Sequence, residues 1–202
     1  MRTPDDGGHW GILGGTFDPV HNGHLNLATQ MMTRSKLNGV LLVPSYRHPF
    51  KEVCRASFEQ RLAMLRLAAA GDDRLLVSDI ERKRNLSGYT IDSVKAIRQR
   101  YPKATMSFLI GEDNLEELDR WRRPNEIFAE VRVLVGQRPP HQSGERISRF
   151  PADRLEMVAI DMQDVSSTHI RGLLSRGVGR TGLNGLAPSA VVEYIIEHGL
   201  YR

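Results

Sequence analysis

Cysteine is nearly absent from this chain of 202 residues, which contains only Cys54. A single cysteine excludes an internal disulfide framework and fits a reducing compartment. A closed zinc site needs four ligands, and Cys54 has no second cysteine to pair with, so zinc is only weakly supported. The sequence therefore predicts no metal site made by protein side chains.

Long apolar runs are absent as well. No run approaches the length that spans a bilayer, and residues 1–8, with Asp5 and Asp6, lack the positive charge and apolar core of a signal peptide. These absences predict a cytoplasmic protein with no membrane partner. We expect residues 1–8 to form a flexible tail and residues 9–202 a single domain, because a chain with 40% apolar residues at this length can bury one well-packed core.

A dense stripe of lysine and arginine interleaved with aromatic residues is the third missing feature. The formal net charge of +4 nevertheless suits an anionic partner. Without such a stripe, small phosphorylated ligands are favoured over a nucleic acid. We therefore expect no nucleic-acid partner, and the composition leaves self-association into a homo-oligomer open.

Short apolar runs alternate with helical patterns along the chain, as a doubly wound parallel sheet requires. A helix is predicted from Ser57 to about residue 70, because Ser57 and Gln60 have capping-box spacing, and Thr90 can cap another. Residues 138–145 are rich in turn formers and predict a mobile surface loop. The α/β pattern places strands at residues 10–13, 39–44, 75–77, 106–110, 131–135 and 157–160.

The most informative stretch is GGTFDPVHNGH at residues 14–24, which joins the first predicted strand to a helical pattern. Gly14 and Gly15 allow a tight turn and close backbone approach, and the following helix N-terminus presents unpaired N–H groups to an anion. His21 and His24 are three residues apart, so they lie on or near one face of that helix. The spacing predicts a phosphate site. An exposed His21 with a core His24 is the alternative.

This string resembles the motif of the nucleotidyltransferases that share His-x-Gly-His, and its PVHNGH ending is similar to their nicotinate mononucleotide adenylyltransferase branch. The resemblance implies a Rossmann-like sheet of the nucleotidyltransferase type. It also implies that His21 and His24 are catalytic. The remaining positions of the motif that it assigns to ATP binding are Gly14, Gly15, Thr16, Phe17 and Gly23.

A second motif, VSSTHIR at residues 165–171, is similar to the Ile-Ser-Ser-Thr-x-Ile-Arg motif of this family. Serine and threonine at a helix start supply caps and hydroxyl donors, and Arg171 falls one turn into the helix, where its planar fork can clamp phosphate oxygens. Capping alone is the alternative for the hydroxyl residues. The resemblance implies that Ser167 and Thr168 bind ATP and that Arg171 is catalytic.

Loops after two predicted strands carry further candidates. Lys51, in the string HPFK, stands where the family has a Pro-His-Lys-like string, and it is placed to meet a phosphate; a solvated lysine is the alternative. Asp113 resembles the Asp of the Gly-x-Asp element of the family, and this resemblance implies a contact with the nucleotide. Without the family, the position of Asp113 before a helical segment favours a helix N-cap. Glu112 departs from the small residue usual there and adds negative charge.

Two elements with aromatic residues indicate the second substrate, which would accept a group from ATP. Tyr89 and Thr90 match a Tyr-Thr element of the family, which implies backbone donors for a nicotinate carboxylate near a helix start. Trp121 is flanked by arginines and offers a face for stacking a planar pyridine ring, where the family also has a tryptophan. A core or covering role is the alternative for Trp121. The resemblance covers residues 10–201, including a closing helical pattern.

The implied reaction joins ATP to nicotinate mononucleotide and releases pyrophosphate. A phosphate monoester is largely a dianion at pH 7, so it attacks the α-phosphorus without a protein nucleophile or general base. The site has to position two anions and stabilise the added charge: His21 and His24 at the ATP phosphates, Lys51 at the attacking phosphate and Arg171 at the leaving pyrophosphate. Mg²⁺ would be brought by ATP, with phosphate oxygens and water as its main ligands.

Three rival functions stay open. The nearest is the same reaction on nicotinamide mononucleotide or phosphopantetheine, and the aromatic elements favour a pyridine nucleotide. A cytidylyltransferase is disfavoured because the Arg-Thr-x-Gly-Ile-Ser-Thr-Thr type of string is not found. A non-catalytic nucleotide-binding protein of the same fold is disfavoured by the presence of His21, His24 and Arg171.

Overall fold

Runs of valine, isoleucine and leucine form a parallel sheet at the centre of the molecule. The structure is a computed structural model, and it describes residues 3–47, 54–115, 117–137, 149–161 and 163–202. Within those residues the strands are β1 (Gly8–Gly15), β2 (Gly39–Pro44), β3 (Leu75–Val77), β4 (Ala104–Gly111), β5 (Arg132–Gln137) and β6 (Leu155–Ala159). Their spatial order is β3-β2-β1-β4-β5-β6, and every neighbouring pair is parallel.

Helices connect the strands and cover both faces of the sheet. In the described ranges they are α1 (Asn22–Arg34), α2 (Phe58–Ala69), α3 (Ile80–Lys83), α4 (Thr90–Arg100), α5 (Glu112–Leu115), α6 (Pro124–Glu130), α7 (Ser167–Ser175) and α8 (Ser189–Glu197). Short 3-10 turns occur at Pro4–Asp6, Leu118–Arg120 and Arg180–Leu183. None of the helices in the described part of the chain is long and apolar enough to cross a membrane.

Two hydrophobic cores lie on opposite faces of the sheet, because successive side chains of a strand point to opposite faces. Leu13 of β1 and Leu42 of β2 belong to one core, which includes side chains of α1, α2, α7 and α8. Ile12 and Leu41, their neighbours in sequence, belong to the other core, with side chains of α4 and α6. Burial on both faces explains why these strands are continuous apolar runs rather than alternating ones.

The strand order confirms the predicted doubly wound α/β fold. The chain passes from β1 outward to β3 and then returns to the other side of β1 with β4, so the order reverses between β1 and β4. In open parallel sheets a crevice for ligands forms at this reversal, outside the carboxyl ends of the strands. The loops that follow β1 and β4 therefore flank the expected ligand site.

Two predicted helix caps are wrong. Thr90 is the first residue of α4, and the capping position is Tyr89, which has an extended backbone after a turn at Gly88 with φ of 85°. Asp113 lies inside α5, because β4 continues through Gly111 and α5 begins at the next residue. No residue is left between β4 and α5 to act as a cap.

The first described residues, from Thr3, make defined contacts. Thr3 and Asp6 hydrogen-bond around the first 3-10 turn, Arg100 pairs with Asp5, and β1 already begins at Gly8. The flexible tail over residues 1–8 therefore remains a prediction, and these contacts do not support it. The predicted surface loop at residues 138–145 and the predicted phosphate ligand Lys51 both lie outside the described residues.

Candidate active site

A cleft of about 970 Å³ opens at the reversal of strand order. Its floor is formed by the carboxyl ends of β1 and β4, and one wall by the starts of α1 and α7. The opposite wall includes the start of α4 and the segment after α5. The cleft thus collects residues from both strong sequence motifs, which are far apart in the chain. The predicted site residues that line it are Gly14, Gly15, Thr16, Phe17, His21, Gly23, His24, Thr90, Asp113, Trp121, Ser167, Thr168 and Arg171.

The turn after β1 differs from the predicted one. Gly14 and Gly15 remain in β1, paired with β2, and the chain turns instead at Phe17, whose φ of 52° is unusual for a bulky residue. The Phe17 ring folds back over Gly15, where an added Cβ would lie 3.1 Å from a ring carbon. Close approach, and not a turn, is therefore what Gly15 permits. Phe17 also meets the His24 ring edge-on, with ring centroids 4.8 Å apart.

The two histidines of the first motif lie on one side of the start of α1, as their spacing predicts, and their rings form a stacked pair. His21 is the capping residue of α1, and its ring lies 3.7 Å from that of His24, centroid to centroid, at 30°. The backbone N–H of His21 donates to Nδ1 of His24 at 3.3 Å. Glycine is required at position 23, because an added Cβ would come within 3.0 Å of the His21 ring. The interpretation of His21 as an exposed residue is wrong, since only 6% of it is accessible.

Burial keeps this pair neutral. It lowers the pKa of His21 to about 4, and it lowers the pKa of His24 well below its ordinary value, with the neighbouring His21 adding to the effect. Because Nδ1 of His24 accepts the His21 N–H, the proton of neutral His24 belongs on Nε2. Nδ1 of His21 is buried without a hydrogen-bond partner in the described structure. The pair therefore offers neutral N–H donors at neutral pH, not two positive charges.

The second motif packs directly against the first. Ser166 caps α7 by accepting the His169 N–H at 3.1 Å, and Ser167 donates its hydroxyl to the carbonyl oxygen of Pro19 at 2.9 Å. Arg171 donates to the carbonyl oxygen of Asp18 at 2.7 Å through Nη1 and to the Thr168 hydroxyl at 3.1 Å through Nη2. One guanidinium thus joins α7 to the loop between β1 and α1 at the edge of the cleft.

Arg61 is a buried cation beside the site that the sequence analysis missed. Only 2% of it is accessible, and it donates to the carbonyl oxygens of Thr16 at 2.6 Å and Ser45 at 2.8 Å. Thr16 follows β1 and Ser45 follows β2, so Arg61 connects the two loops through hydrogen bonds. A signal existed in the sequence: Arg61 stands four residues before Leu65, on the apolar face of α2, where a charged residue needs a specific partner.

Asp18 is a second residue that the sequence analysis missed. Its side chain accepts the backbone N–H groups of Arg55 at 2.9 Å and Ala56 at 3.1 Å, and the hydroxyl of Tyr201 at 2.8 Å. Asp18 lines the cleft but is only 5% accessible. Its oxygens are used within the protein, which makes the carboxylate a poor candidate for a metal ligand.

Glu81 is a further missed residue, at the opposite wall of the cleft. Its carboxylate accepts the Ser93 hydroxyl at 2.6 Å and the backbone N–H of Tyr46 at 2.8 Å. Burial raises the pKa of Glu81, and these two hydrogen bonds act against that effect. Glu81 thus links α4 to the segment after β2. Its position after the short strand β3 gave no sequence signal.

The predicted acceptor residues are only partly brought together. Thr90 and Trp121 line the cleft, and Trp121 is half-buried with its ring nearly perpendicular to that of Phe108 at 5.9 Å. Tyr89 does not line the cleft: the Arg122 guanidinium lies 4.5 Å from its ring centroid, and its backbone N–H donates to Ser87. The start of α4 faces the cleft with Thr90, and the N–H groups of Asp92 and Ser93 donate to the Tyr89 carbonyl oxygen. The backbone donors that α4 offers to a substrate are therefore those of Thr90 and Ile91.

Asp113, the second residue of α5, lies at the exposed mouth of the cleft. Its carboxylate accepts the side-chain amide of Asn114 at 3.2 Å. The unusual Glu112 beside it turns toward β5, where its carboxylate accepts the Gln137 amide at 3.2 Å. Glu112 is thereby engaged with the sheet.

Comparison with known proteins identifies the family. Residues 12–173 match the family model described as cytidylyltransferase-like, and the chain belongs to this family. Two of its most similar relatives are named probable nicotinate-nucleotide adenylyltransferase. The protein from Laribacter hongkongensis is 39% identical over 95% of this chain and 94% of its own length, and that from Neisseria meningitidis serogroup C is 35% identical over 95% and 98%. The sequence motifs predict this same branch of the family.

Solved structures agree on the fold. Nicotinic acid mononucleotide adenylyltransferase of Plasmodium falciparum, complexed with NaAD, superposes with a TM-score of 0.79 at 18% identity over 96% of this chain and 97% of that chain. A putative nicotinate-nucleotide adenylyltransferase from Vibrio parahaemolyticus gives a TM-score of 0.68 at 21% identity over 96% of each chain. At such identities the likeness concerns the fold alone.

Proposed function

We propose that this protein transfers the adenylyl group of ATP to nicotinate mononucleotide, giving deamido-NAD and pyrophosphate on the way to NAD. The single observation that carries the proposal is the cleft that joins the stacked His21–His24 pair and Arg171 on one wall to Trp121 and Thr90 on the other. The names of the relatives and the NaAD complex of the Plasmodium falciparum protein support the same reaction.

The wall formed by α1 and α7 suits the triphosphate of ATP. The N-terminus of α1 carries the positive end of a helix dipole, and neutral His21 and His24 add N–H donors without the cost of a buried charge. Arg171 supplies a guanidinium at this edge and is assigned to the departing pyrophosphate. Gly14, Gly15 and Gly23 line the cleft, and we assign them to ATP binding from their place in the first motif. Ser167, Thr168 and Asp113 complete the proposed ATP contacts.

The chemical step needs positioning and charge stabilisation only. The acceptor phosphate is already a dianion and attacks the α-phosphorus, a new P–O bond forms, and the bond to pyrophosphate breaks. His21 and His24 donate to the phosphate oxygens on which negative charge grows, and Arg171 neutralises the leaving group. We assign Lys51 to the attacking phosphate on its sequence position. No proton has to be removed from the acceptor.

Magnesium enters this scheme as part of the substrate MgATP. Among the described residues, no group of three or more His, Cys, Asp or Glu side chains could hold a metal ion, and the Asp18 carboxylate is already hydrogen-bonded from three sides. These donors do not form a protein cage, so phosphate oxygens and water would be the main ligands of the ion. We also propose a cytoplasmic location, in keeping with the single cysteine.

The acceptor wall favours a pyridine nucleotide with a carboxylate. Trp121 offers an aromatic surface at the cleft, and backbone N–H groups at the start of α4 favour an anionic substituent over a neutral amide. Nicotinamide mononucleotide and phosphopantetheine are the alternative acceptors. Both lack the carboxylate on a ring that this wall is suited to bind.

The test is a pyrophosphate-release assay with MgATP and a panel of acceptors: nicotinate mononucleotide, nicotinamide mononucleotide and phosphopantetheine. We expect nicotinate mononucleotide to give the highest kcat/KM, with deamido-NAD identified by mass spectrometry. CTP in place of ATP should give little product. Pyrophosphate release with none of the acceptors would overturn the proposal in favour of a non-catalytic protein, and a preference for another acceptor would overturn the substrate assignment.

A further inference from the structure

We infer that Tyr201 is a positioning residue of the adenylyl-transfer site, acting through the buried carboxylate of Asp18. The inference rests on the proposed function. It concerns a residue that lies beyond α8, outside both sequence motifs, and that no substrate contact would reveal. Three observations carry it: the hydrogen bonds of Asp18, the burial of Tyr201, and the elements that meet at Asp18.

Asp18 is the point at which four segments of the chain are joined. Its carboxylate accepts the N–H groups of Arg55 and Ala56, which precede α2, and the hydroxyl of Tyr201, which follows α8. Its carbonyl oxygen accepts Nη1 of Arg171 from α7. Asp18 itself belongs to the loop that delivers the two histidines. Any shift of Asp18 therefore moves the donors for the phosphates and the Arg171 guanidinium together.

Tyr201 is held firmly enough to fix Asp18. It is only 6% accessible and belongs to the core formed with α1, α2, α7 and α8. Its backbone lies in the left-handed region, with φ of 66°, which is costly for a tyrosine and is maintained by its surroundings. Burial and the adjacent carboxylate raise the pKa of Tyr201, so its hydroxyl stays protonated and remains a donor.

Among the described residues, the Tyr201 hydroxyl is the one side-chain donor to the Asp18 carboxylate. The other two donors are backbone N–H groups, which every substitution except proline leaves in place. Tyr201→Phe keeps the ring and its packing and removes this donor alone. Charge stabilisation in the transition state depends on placement to within about 1 Å, where a comparable error can cost about a hundredfold in rate. The consequence should appear in kcat.

The experiment compares Tyr201→Phe with Tyr194→Phe. Tyr194 lies in α8, stacks on His198 and has no part in the cleft, so its hydroxyl controls for the loss of an oxygen in the same region. We expect Tyr201→Phe to lower kcat by roughly tenfold to a hundredfold, with KM for nicotinate mononucleotide changed by less than about threefold. Tyr194→Phe should retain the kcat of the unmodified protein. Rates are normalised to active sites, counted by titration with a non-hydrolysable ATP analogue.

A purely structural role predicts a different result. In that case Tyr201→Phe would lower the Tm and the number of active sites while kcat per active site stayed unchanged, and the inference would be wrong. If the unmodified protein itself shows no adenylyl transfer, the proposed function fails first. If the unmodified protein is active and both tyrosine variants retain its kcat, the inference is wrong while the proposed function stands.

A double-mutant cycle tests the route through Asp18. Asp18→Asn weakens the acceptor of the Tyr201 hydroxyl, so adding Tyr201→Phe to it should lower kcat by less than about twofold more. Independent, multiplicative losses would show that Tyr201 does not act through Asp18. Should Asp18→Asn fail to fold, Asp18→Glu serves in its place, because it retains the carboxylate and displaces it by one methylene.

Discussion

The two walls of the cleft differ in how firmly their residues are held. On the wall of α1 and α7, His21 is buried in a stack, and Arg171 hydrogen-bonds both its own helix and the neighbouring loop. On the acceptor wall, Trp121 is half-buried, and Tyr89 lies outside the cleft. The first wall is preorganised before any ligand arrives, whereas the second presents surfaces that a ring can contact.

This difference matches the work assigned to each wall. Charge that grows in a transition state is stabilised best by donors that need no reorganisation, which the buried wall supplies. Recognition of an aromatic ring requires contact area and depends less on exact placement. Substitutions on the first wall should therefore cost catalytic rate, and substitutions on the second should cost affinity for one substrate. The predictions below test that division, beginning with the largest expected effect.

Removing either histidine should cost the most. We expect His21→Ala or His24→Ala to lower kcat by about a hundredfold to a thousandfold, the range for losing one preorganised donor. The matched control is His198→Ala, because His198 is also stacked on a ring but is exposed and does not line the cleft. Steady-state pyrophosphate release measures the effect. A loss of activity that only follows a loss of thermal stability would favour a core role for these histidines.

The buried pair should also make stability depend on pH. The pKa of His21 is about 4 when folded, against an ordinary value of 6.5, so between these pH values the unfolded chain binds more protons. The contribution of His21 to the free energy of unfolding is complete above pH 6.5. It declines as the pH falls, and the decline amounts to about 3 kcal/mol when pH 4 is reached. Urea unfolding between about pH 7.5 and about pH 4.5 measures the slope. His21→Gln should flatten it and His198→Gln should not; equal slopes in all three proteins would contradict the assignment.

Arg171→Lys should separate charge from geometry. Lysine keeps the charge but cannot donate to the Asp18 carbonyl, the Thr168 hydroxyl and a phosphate in one plane. We expect kcat/KM for ATP to fall by roughly tenfold to a hundredfold, as for a lost charge-assisted hydrogen bond. Arg176→Lys, at the other end of α7, is the control. Unchanged kinetics in Arg171→Lys would reduce Arg171 to an ordinary charge on the helix surface.

The parts of the fold that were predicted correctly depend on local patterns. The strands at residues 39–44 and 75–77 are apolar runs bounded by turn residues. The helix after Ser57 is predicted by a capping box, which the structure contains. The spacing of His21 and His24 is likewise local. Such signals act over a few residues, so they survive without knowledge of the tertiary structure.

The missed residues depend on contacts between distant segments. Tyr201 and Asp18 are separated by 183 positions, and nothing near Tyr201 in the sequence distinguishes it from a core aromatic residue. Arg61 gave a faint signal as a cation on an apolar face, but its partners are backbone carbonyls, which leave no trace in side-chain identity. The wrong caps at Thr90 and Asp113 have a related cause: the strand or turn before each helix ends one residue earlier or later than the local pattern indicates.

The smallest expected effect belongs to the acceptor wall and tests the comparison most directly. Trp121→Ala removes a ring surface from the cleft, and stacking on a pyridine ring contributes on the order of 1 kcal/mol, so KM for nicotinate mononucleotide should rise about fivefold or more. KM for ATP should stay unchanged, and Trp121→Phe should recover part of the affinity because it keeps an aromatic face. Steady-state kinetics with each substrate varied in turn provide the measurement. If Trp121→Ala changed KM for ATP alone, the acceptor would have to bind elsewhere, and the division of labour between the walls would be wrong while adenylyl transfer itself could stand.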